Sequence, residues 1–84
     1  MTKIKTTSAI AEGDEAVLSI YYDEEDGMLI MEGAVPVDEL NSITAFLSEI
    51  VEREPSLEGI DTLPAGWRAS RRDEHSDWSI GPAT

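Results

Sequence analysis

The chain has 84 residues, no cysteine and a formal net charge of -12. A chain of this length forms one domain, residues 1–84, and buries only roughly 60–65% of its unfolded surface, so a deep catalytic cleft is not expected. The lack of cysteine excludes disulfides and thiolate metal sites and is typical of a reduced, cytoplasmic protein. No stretch approaches the ~20 apolar residues that span a bilayer, and the first residues lack the apolar segment of a signal peptide. We therefore expect neither membrane insertion nor secretion.

Three strands are predicted before residue 33. In "KIKTTSAI" apolar and polar residues alternate, which predicts a strand with one face formed by Ile4, Thr6, Ser8 and Ile10. The run "AVLSIYY" is rich in β-branched and aromatic residues, and the apolar "MLIME" follows the acidic turn "DEEDG". Residues 16–22 and 28–32 are therefore predicted to form an antiparallel hairpin, in which Gly27 permits the turn.

One helix is predicted, within "VDELNSITAFLSEIVEREP". Its apolar residues recur at three- and four-residue spacing and share one face: Leu40, Ile43, Leu47, Ile50 and Val51. Asp38 is the expected N-cap, because its carboxylate can accept the free backbone N–H groups of a first helical turn. Pro55 is expected to end the helix, since the residue before a proline is pushed out of the α region. The following "SLEGIDTLPAG" predicts a loop or single helical turn that holds the helix end on the sheet.

The last segment predicts two short strands, "WRASR" and "DWSI", around a polar loop at residues 72–76. Strand alternation places Trp67, Ala69 and Arg71 on one face, and the other face carries Arg68, Ser70 and Arg72. If the tryptophans are structural, Trp67 is expected to be shielded and Trp78 to be more accessible. The predicted fold class is α+β: a small antiparallel sheet of about five strands in the order β-β-β-α-β-β, with one helix packed on one face.

The sequence contains no convincing catalytic or metal-binding motif. Glu74, His75, Ser76 and Asp77 are the residue types of a hydrolytic triad, but neighbours on one loop cannot hold a nucleophile, base and orienting acid in line. The acidic turn fails as a calcium loop, because aligning Gly27 with the invariant glycine of an EF-hand leaves no acid at the first or last ligand position. We therefore expect no enzyme activity, no metal and no cofactor.

The acidity lies in the middle of the chain, where residues 12–61 hold 15 acidic residues and a single basic one, Arg53. Such a field repels nucleic acid and anionic lipid, so neither is an expected partner, and it attracts basic proteins. A role in solubility explains the same charge equally well.

A family resemblance is carried by "REPSLEGIDTLPAGWRASRRDEHSDW" at residues 53–78. It resembles the end of a family of small bacterial immunity proteins of polymorphic toxin systems, in which a helix precedes a "PSL…L…LP-x-GW-x-A-x-R" segment and a terminal tryptophan. The match covers Pro55, Ser56, Leu57, Leu63, Pro64, Gly66, Trp67, Arg68, Ala69, Arg71 and Trp78. The paired strands leading through "VPV" into the helix are similar as well. The resemblance implies a protein that neutralises a toxin by binding it.

The resulting prediction is a small, acidic, non-enzymatic domain that binds a basic protein, either a toxin or another partner. Two alternatives stay open: a regulatory or accessory module, and an acidic nucleic-acid mimic that binds a DNA-binding protein. Four adjacent carboxylates repel one another until a cationic surface relieves them, and arginine is enriched at interface hot spots. The predicted contact residues are Asp23, Glu24, Glu25, Asp26, Arg68 and Arg72, the two arginines being contacts or internal counter-charges. The chain is expected to be a monomer or a weak homodimer.

Overall fold

The computed structural model describes residues 2–25 and 27–82. Within these ranges the chain forms one six-stranded sheet, two short α-helices and two 3-10 turns. The strands are β1 (Lys3–Thr7), β2 (Ser19–Asp23), β3 (Met28–Glu32), β4 (Ser42–Phe46), β5 (Trp67–Ser70) and β6 (Ser79–Pro82). The helices are α1 (Ser8–Glu12) and α2 (Leu47–Arg53), and the 3-10 turns cover Pro55–Leu57 and Ile60–Thr62. None of the described helices is long and apolar enough to cross a membrane.

The strands lie in the order β4-β1-β3-β2-β5-β6. β1 runs parallel to β3, and the other neighbouring strands are antiparallel. The predicted α+β class is confirmed. In detail, the described part of the chain has six strands rather than about five, and the sheet is mixed. It is mixed because β3, the second strand of the β2–β3 hairpin, pairs with β1 and runs in the same direction.

The predicted hairpin between β2 and β3 is confirmed, with its first strand at Ser19–Asp23 rather than at residues 16–22. Its register runs from Ser19 opposite Glu32 to Asp23 opposite Met28. Gly27 in the connecting turn has φ 66°, a left-handed conformation that favours glycine. This hairpin occupies the middle of the sheet and presents the acidic turn at one end of it.

The first strand ends earlier than the alternating pattern of residues 3–10 predicted. β1 ends at Thr7, whose hydroxyl accepts the Ile10 backbone N–H at 3.4 Å and so caps α1. Ser8, predicted to share the buried face, is exposed at the start of this helix. Ile10 is nevertheless buried, because the turn of α1 carries it back onto the core.

The predicted helix begins only at Leu47, and the residues before it form the edge strand β4. Asp38 therefore does not cap a helix. Its carboxylate accepts the backbone N–H groups of Leu40 and Asn41 at 2.8 and 3.0 Å and closes an isolated turn. Leu40 is 98% exposed and Ile43 is 39% exposed, so the prediction that both lie on the apolar face of a helix with Leu47 was wrong.

β4 forms because β1 offers it an edge. The two strands pair from Lys3 opposite Phe46 to Thr7 opposite Ser42. The β-branched Ile43 and Thr44 favour this extended conformation, and the inter-strand hydrogen bonds outweigh a helical periodicity that has no packing partner. The last part of the prediction holds, since α2 buries Leu47 and Ile50 and ends before Pro55.

One face of the sheet carries the core, and α2 packs on this face as predicted. The main buried residues there are Ile4, Ile10, Val17, Ile20, Leu29, Met31, Leu47, Ile50, Leu57, Leu63 and Ala69. The first 3-10 turn buries Leu57, and Leu63, directly after the second, is buried as well, in the place where the spacing predicted a loop or helical turn. The opposite face is mostly polar and has no helix on it, and the register across it aligns Lys5, Ile30, Tyr21 and Arg68.

Candidate partner-binding surface

The acidic turn that joins β2 and β3 contains two hydrogen bonds to Asp23. The Asp23 carboxylate accepts the Glu25 N–H at 2.9 Å, and the Asp23 carbonyl accepts the Gly27 N–H at 2.8 Å. Glu24 and Glu25 are exposed, while Asp23 is half-buried. Asp26, the fourth predicted contact residue, lies outside the described residues. The turn thus offers at least two exposed carboxylates, those of Glu24 and Glu25, to a partner.

Arg68 lies on the same sheet face as Asp23, the first residue of the acidic run. It pairs with Tyr21, which precedes Asp23 by two residues on β2, a spacing of roughly 7 Å along a strand. Its Nε donates to the Ser19 hydroxyl at 3.0 Å, and its guanidinium lies 3.5 Å from the Glu32 carboxylate. Arg68 is therefore a counter-charge inside the domain, although its side chain remains 46% exposed.

Tyr21 lies close to the charges of Arg68 and Glu32. The Arg68 guanidinium carbon is 5.0 Å from the centre of its ring, within the range of a cation–π contact. Burial raises the pKa of Tyr21 above its ordinary value of 10.0, Glu32 raises that pKa further, and Arg68 opposes both effects. Glu32 is fixed in turn, because its carboxylate accepts the Val37 N–H at 2.9 Å.

A hollow of about 250 Å³ lies between the end of β2, just before the turn, and the start of β5. It is lined by Tyr21, Tyr22, Gly66, Trp67 and Arg68. Trp67 is 39% exposed, one of few large apolar side chains with that accessibility. We call the turn together with this hollow the turn-side surface, formed by Tyr21, Tyr22, Asp23, Glu24, Glu25, Gly66, Trp67 and Arg68. Its tryptophan, tyrosines and arginine are residue types enriched among interface hot spots, and its acids add negative charge.

Arg72 does not belong to this surface. It follows β5 at the end of the strand away from the acidic turn, is exposed, and makes no hydrogen bond or ion pair with the other described residues. Arg68 lies beside the acidic turn, whereas Arg72 lies about 20 Å from the turn along the strand direction. The predicted contact residues therefore do not form one surface.

Arg71, which the sequence did not single out as a site, is the buried arginine. Its side chain is only 4% exposed and lies 2.5 Å from the Glu54 carboxylate. Its Nε donates to the Val17 carbonyl at 2.9 Å, and its guanidinium lies 4.4 Å from the Trp78 ring centre. The one available signal was its predicted place on the same strand face as Ala69, which is fully buried.

The two tryptophans have the opposite exposure to that predicted. Trp78 packs against the core, and its indole N–H donates to the Ser56 hydroxyl at 3.2 Å. Trp67, predicted to be shielded, lies at the rim of the sheet. Strand alternation does point it to the core side with Ala69, but a hollow of about 250 Å³ separates it from the residues of the 3-10 turns and from Trp78, so it stays 39% exposed.

The loop after β5 does not assemble a hydrolytic triad. The Ser76 hydroxyl donates to the Asp73 carboxylate at 3.1 Å, whereas His75 lies 3.5 Å from Glu74 and is exposed. The His75 backbone N–H, with the Ser76 hydroxyl, holds the pKa of Asp73 below its ordinary value of 3.8. Across residues 2–25 and 27–82, no group of three or more His, Cys, Asp or Glu side chains is placed to hold a metal ion.

The fold and this surface define a small α+β domain that carries an acidic turn and an exposed tryptophan, Trp67, at the same end of the sheet. Comparisons of the chain with protein-family models, with curated proteins and with solved structures give no match.

Proposed function

We propose that this protein is an acidic, non-enzymatic binding domain of the cytoplasm that captures a basic partner protein through the turn-side surface. The observation that carries the proposal is that the exposed Glu24 and Glu25 lie at the same end of β2 as Tyr22, which lines one hollow with the exposed Trp67. Such a surface supplies both a charge that attracts a cationic partner and an aromatic anchor that retains it. Following the family resemblance, we propose a bacterial toxin as the partner and neutralisation by binding as the role.

The charge balance around the surface supports a cationic partner. Arg68 is the one basic side chain in the hollow, and Glu32 already faces it at 3.5 Å. Its charge is therefore largely compensated, and the carboxylates of the turn keep their negative field. The net charge of -12 extends that field and should speed the encounter with a basic protein at low salt.

The test compares two variants with the same change in charge. One carries Asp23→Asn, Glu24→Gln, Glu25→Gln and Asp26→Asn, in which the amide oxygen introduced at position 23 can still accept the backbone N–H of position 25. The control replaces four exposed acids elsewhere: Glu12→Gln, Asp14→Asn, Glu39→Gln and Glu52→Gln. The tagged wild-type protein is used to capture partners from an extract of its own cells, and association rates are then measured at low and high salt.

We expect the turn variant to associate roughly tenfold more slowly at low salt and to lose most of its salt dependence, because steering acts on the association rate. The control variant should be slowed less, since its charges lie farther from the contact. Trp67→Ala should instead speed dissociation. Equal rates for wild type and turn variant at low salt would contradict the proposal, as would an equal effect of the two charge variants.

A further inference from the structure

The two edges of the sheet are not equally protected. β6 ends in Pro82, which has no N–H to offer and so blunts that edge. β4, with the sequence SITAF, carries neither a proline nor a charged residue. Both Ile43 and Thr44 are exposed on it. An uncharged edge strand of this kind is a template for pairing with another strand.

The register of the β1–β4 ladder decides which backbone groups of β4 are free. The Leu47 N–H donates to the Thr2 carbonyl at 2.8 Å, in line with the pairing of Lys3 with Phe46. Hydrogen-bonded pairs alternate along an antiparallel ladder, so Ala45 and Ile43 also bond towards β1. The backbone groups of Ser42, Thr44 and Phe46 therefore point away from the sheet.

Two of these outward groups are already satisfied within the chain. The Ser42 N–H donates to the Asp38 carbonyl at 3.1 Å. Phe46 is the N-cap of α2, so its carbonyl accepts the first hydrogen bond of the helix. The groups that remain are the N–H and carbonyl of Thr44, the N–H of Phe46 and the carbonyl of Ser42.

From this pattern we infer that β4 pairs with β4 of a second copy of this chain, antiparallel and about a two-fold axis at Thr44. In that register the two Thr44 residues exchange two hydrogen bonds, and each Phe46 N–H donates to the Ser42 carbonyl of the other copy. The groups left out of the pairing, the Ser42 N–H and the Phe46 carbonyl, are the two that the chain itself satisfies. The free edge is thus complementary to itself.

The side chains are compatible with this pairing. Ile43, which is 39% exposed, comes to lie opposite Ala45 of the second copy on the core side of the joined sheets. The contact is nevertheless small against the roughly 800 Å² that each partner contributes to a stable interface. Two copies with a net charge of -12 each also repel one another. We therefore expect a weak dimer that strengthens as added salt screens the repulsion.

The test is sedimentation of the wild-type chain over a wide range of concentration at low and high salt. The mass should rise from that of the 9.2 kDa monomer towards the dimer, and more steeply at high salt. Thr44→Glu is the disrupting variant: within one chain the new carboxylate faces Lys5, its cross-strand neighbour, but in the dimer it faces its own copy. It should raise the dissociation constant by roughly tenfold or more.

Ser79→Glu on β6 is the matched control, because it adds the same charge to the other edge strand at an exposed position. It should dimerise like wild type. A chain that stays monomeric at every concentration and salt level overturns the inference, and so does an equal effect of the two variants. Should Thr44→Glu fail to fold, amide hydrogen exchange of the wild type decides: the Thr44 and Phe46 amides must exchange more slowly at high concentration. Capture of a basic partner weakens with salt, so the two proposals fail separately.

Discussion

Arg71 and Arg72 are adjacent in the chain but differ in burial and in the contacts that their side chains make. The Arg71 side chain is 4% exposed and contacts Val17, Glu54 and Trp78, whereas Arg72 is exposed. Replacing either by alanine removes one positive charge from the same short loop. The pair therefore separates the contribution of specific contacts from that of net charge.

Three losses contribute most of the effect of Arg71→Ala, since the remaining hydrogen bond, to the Glu74 carbonyl, is long at 3.4 Å and exposed. The buried Val17 carbonyl loses its side-chain donor, which costs about 1–3 kcal/mol. Trp78 loses a cation–π contact of about 0.5–2 kcal/mol. Glu54 loses its partner but is 23% exposed and regains water, so its share is about 1 kcal/mol at most. Because these terms share one side chain they do not add fully, and we expect a loss of about 3–4 kcal/mol.

That loss is a large part of the stability of the domain, since an 84-residue protein has a free energy of unfolding of roughly 4–13 kcal/mol. Urea denaturation followed by circular dichroism should show a midpoint lower by about 2–3 M, taking m as about 1.2–1.5 kcal/mol/M. Arg72→Ala should change the free energy of unfolding by less than about 0.5 kcal/mol. Arg71→Lys should fall between them, because lysine keeps the charge but not the planar fork. Equal midpoints for the two alanine variants would refute the structural role of Arg71.

Three further predictions concern the core, the tryptophans and Tyr21. Leu47→Ala should lower the free energy of unfolding by about 2–4 kcal/mol because it leaves a cavity, whereas Leu40→Ala, at a fully exposed site, should change it by less than about 0.5 kcal/mol; a large effect at Leu40 would restore the longer helix. In the single-tryptophan variants Trp67→Phe and Trp78→Phe, acrylamide should quench Trp67 more than Trp78, and the reverse order would contradict the packing of Trp78 on the core. Tyr21 should ionise above 10.0 in an absorbance titration assigned with Tyr21→Phe, and Arg68→Ala should raise its pKa further. Because the pKa of Tyr21 is raised on folding, its contribution to stability is complete below about 10 and is lost as the pH rises through the folded-state pKa. If Tyr21 titrated at its ordinary pKa, neither its burial nor Glu32 would raise its pKa as described.

The turn-side surface could be found only in part from the sequence. The acidic turn was visible because it is a run of four acids between two strands, and its neighbour Arg68 was visible as a cation beside a tryptophan. That Arg68 is compensated by Glu32 while Arg72 is not depends on the pairing of β2 with β5. This pairing joins segments almost fifty residues apart, which no local pattern reports.

The sequence by itself determined the elements whose signals are local. Alternation, β-branched residues and Gly27 were enough for the β2–β3 hairpin, because its strands and turn are contiguous in the chain. The buried end of the helix followed from the spacing of Leu47 and Ile50, and its termination followed from Pro55. Each of these features is fixed by interactions between residues a few positions apart.

Only the tertiary structure decided the conformation of residues 38–46, where two patterns compete. The spacing of Leu40, Ile43 and Leu47 is typical of a helix, whereas the β-branched residues of "SITAF" favour a strand. The strand forms because β1 presents a free edge to it, and a helix there would have no apolar surface on which to pack Leu40. The tertiary structure also decided which cation and which tryptophan are buried. Arg71 and Trp78 lie where α2 and the 3-10 turns cover the sheet, whereas Arg72 and Trp67 are exposed. Burial of this kind depends on elements distant in the chain, so composition and periodicity do not determine it.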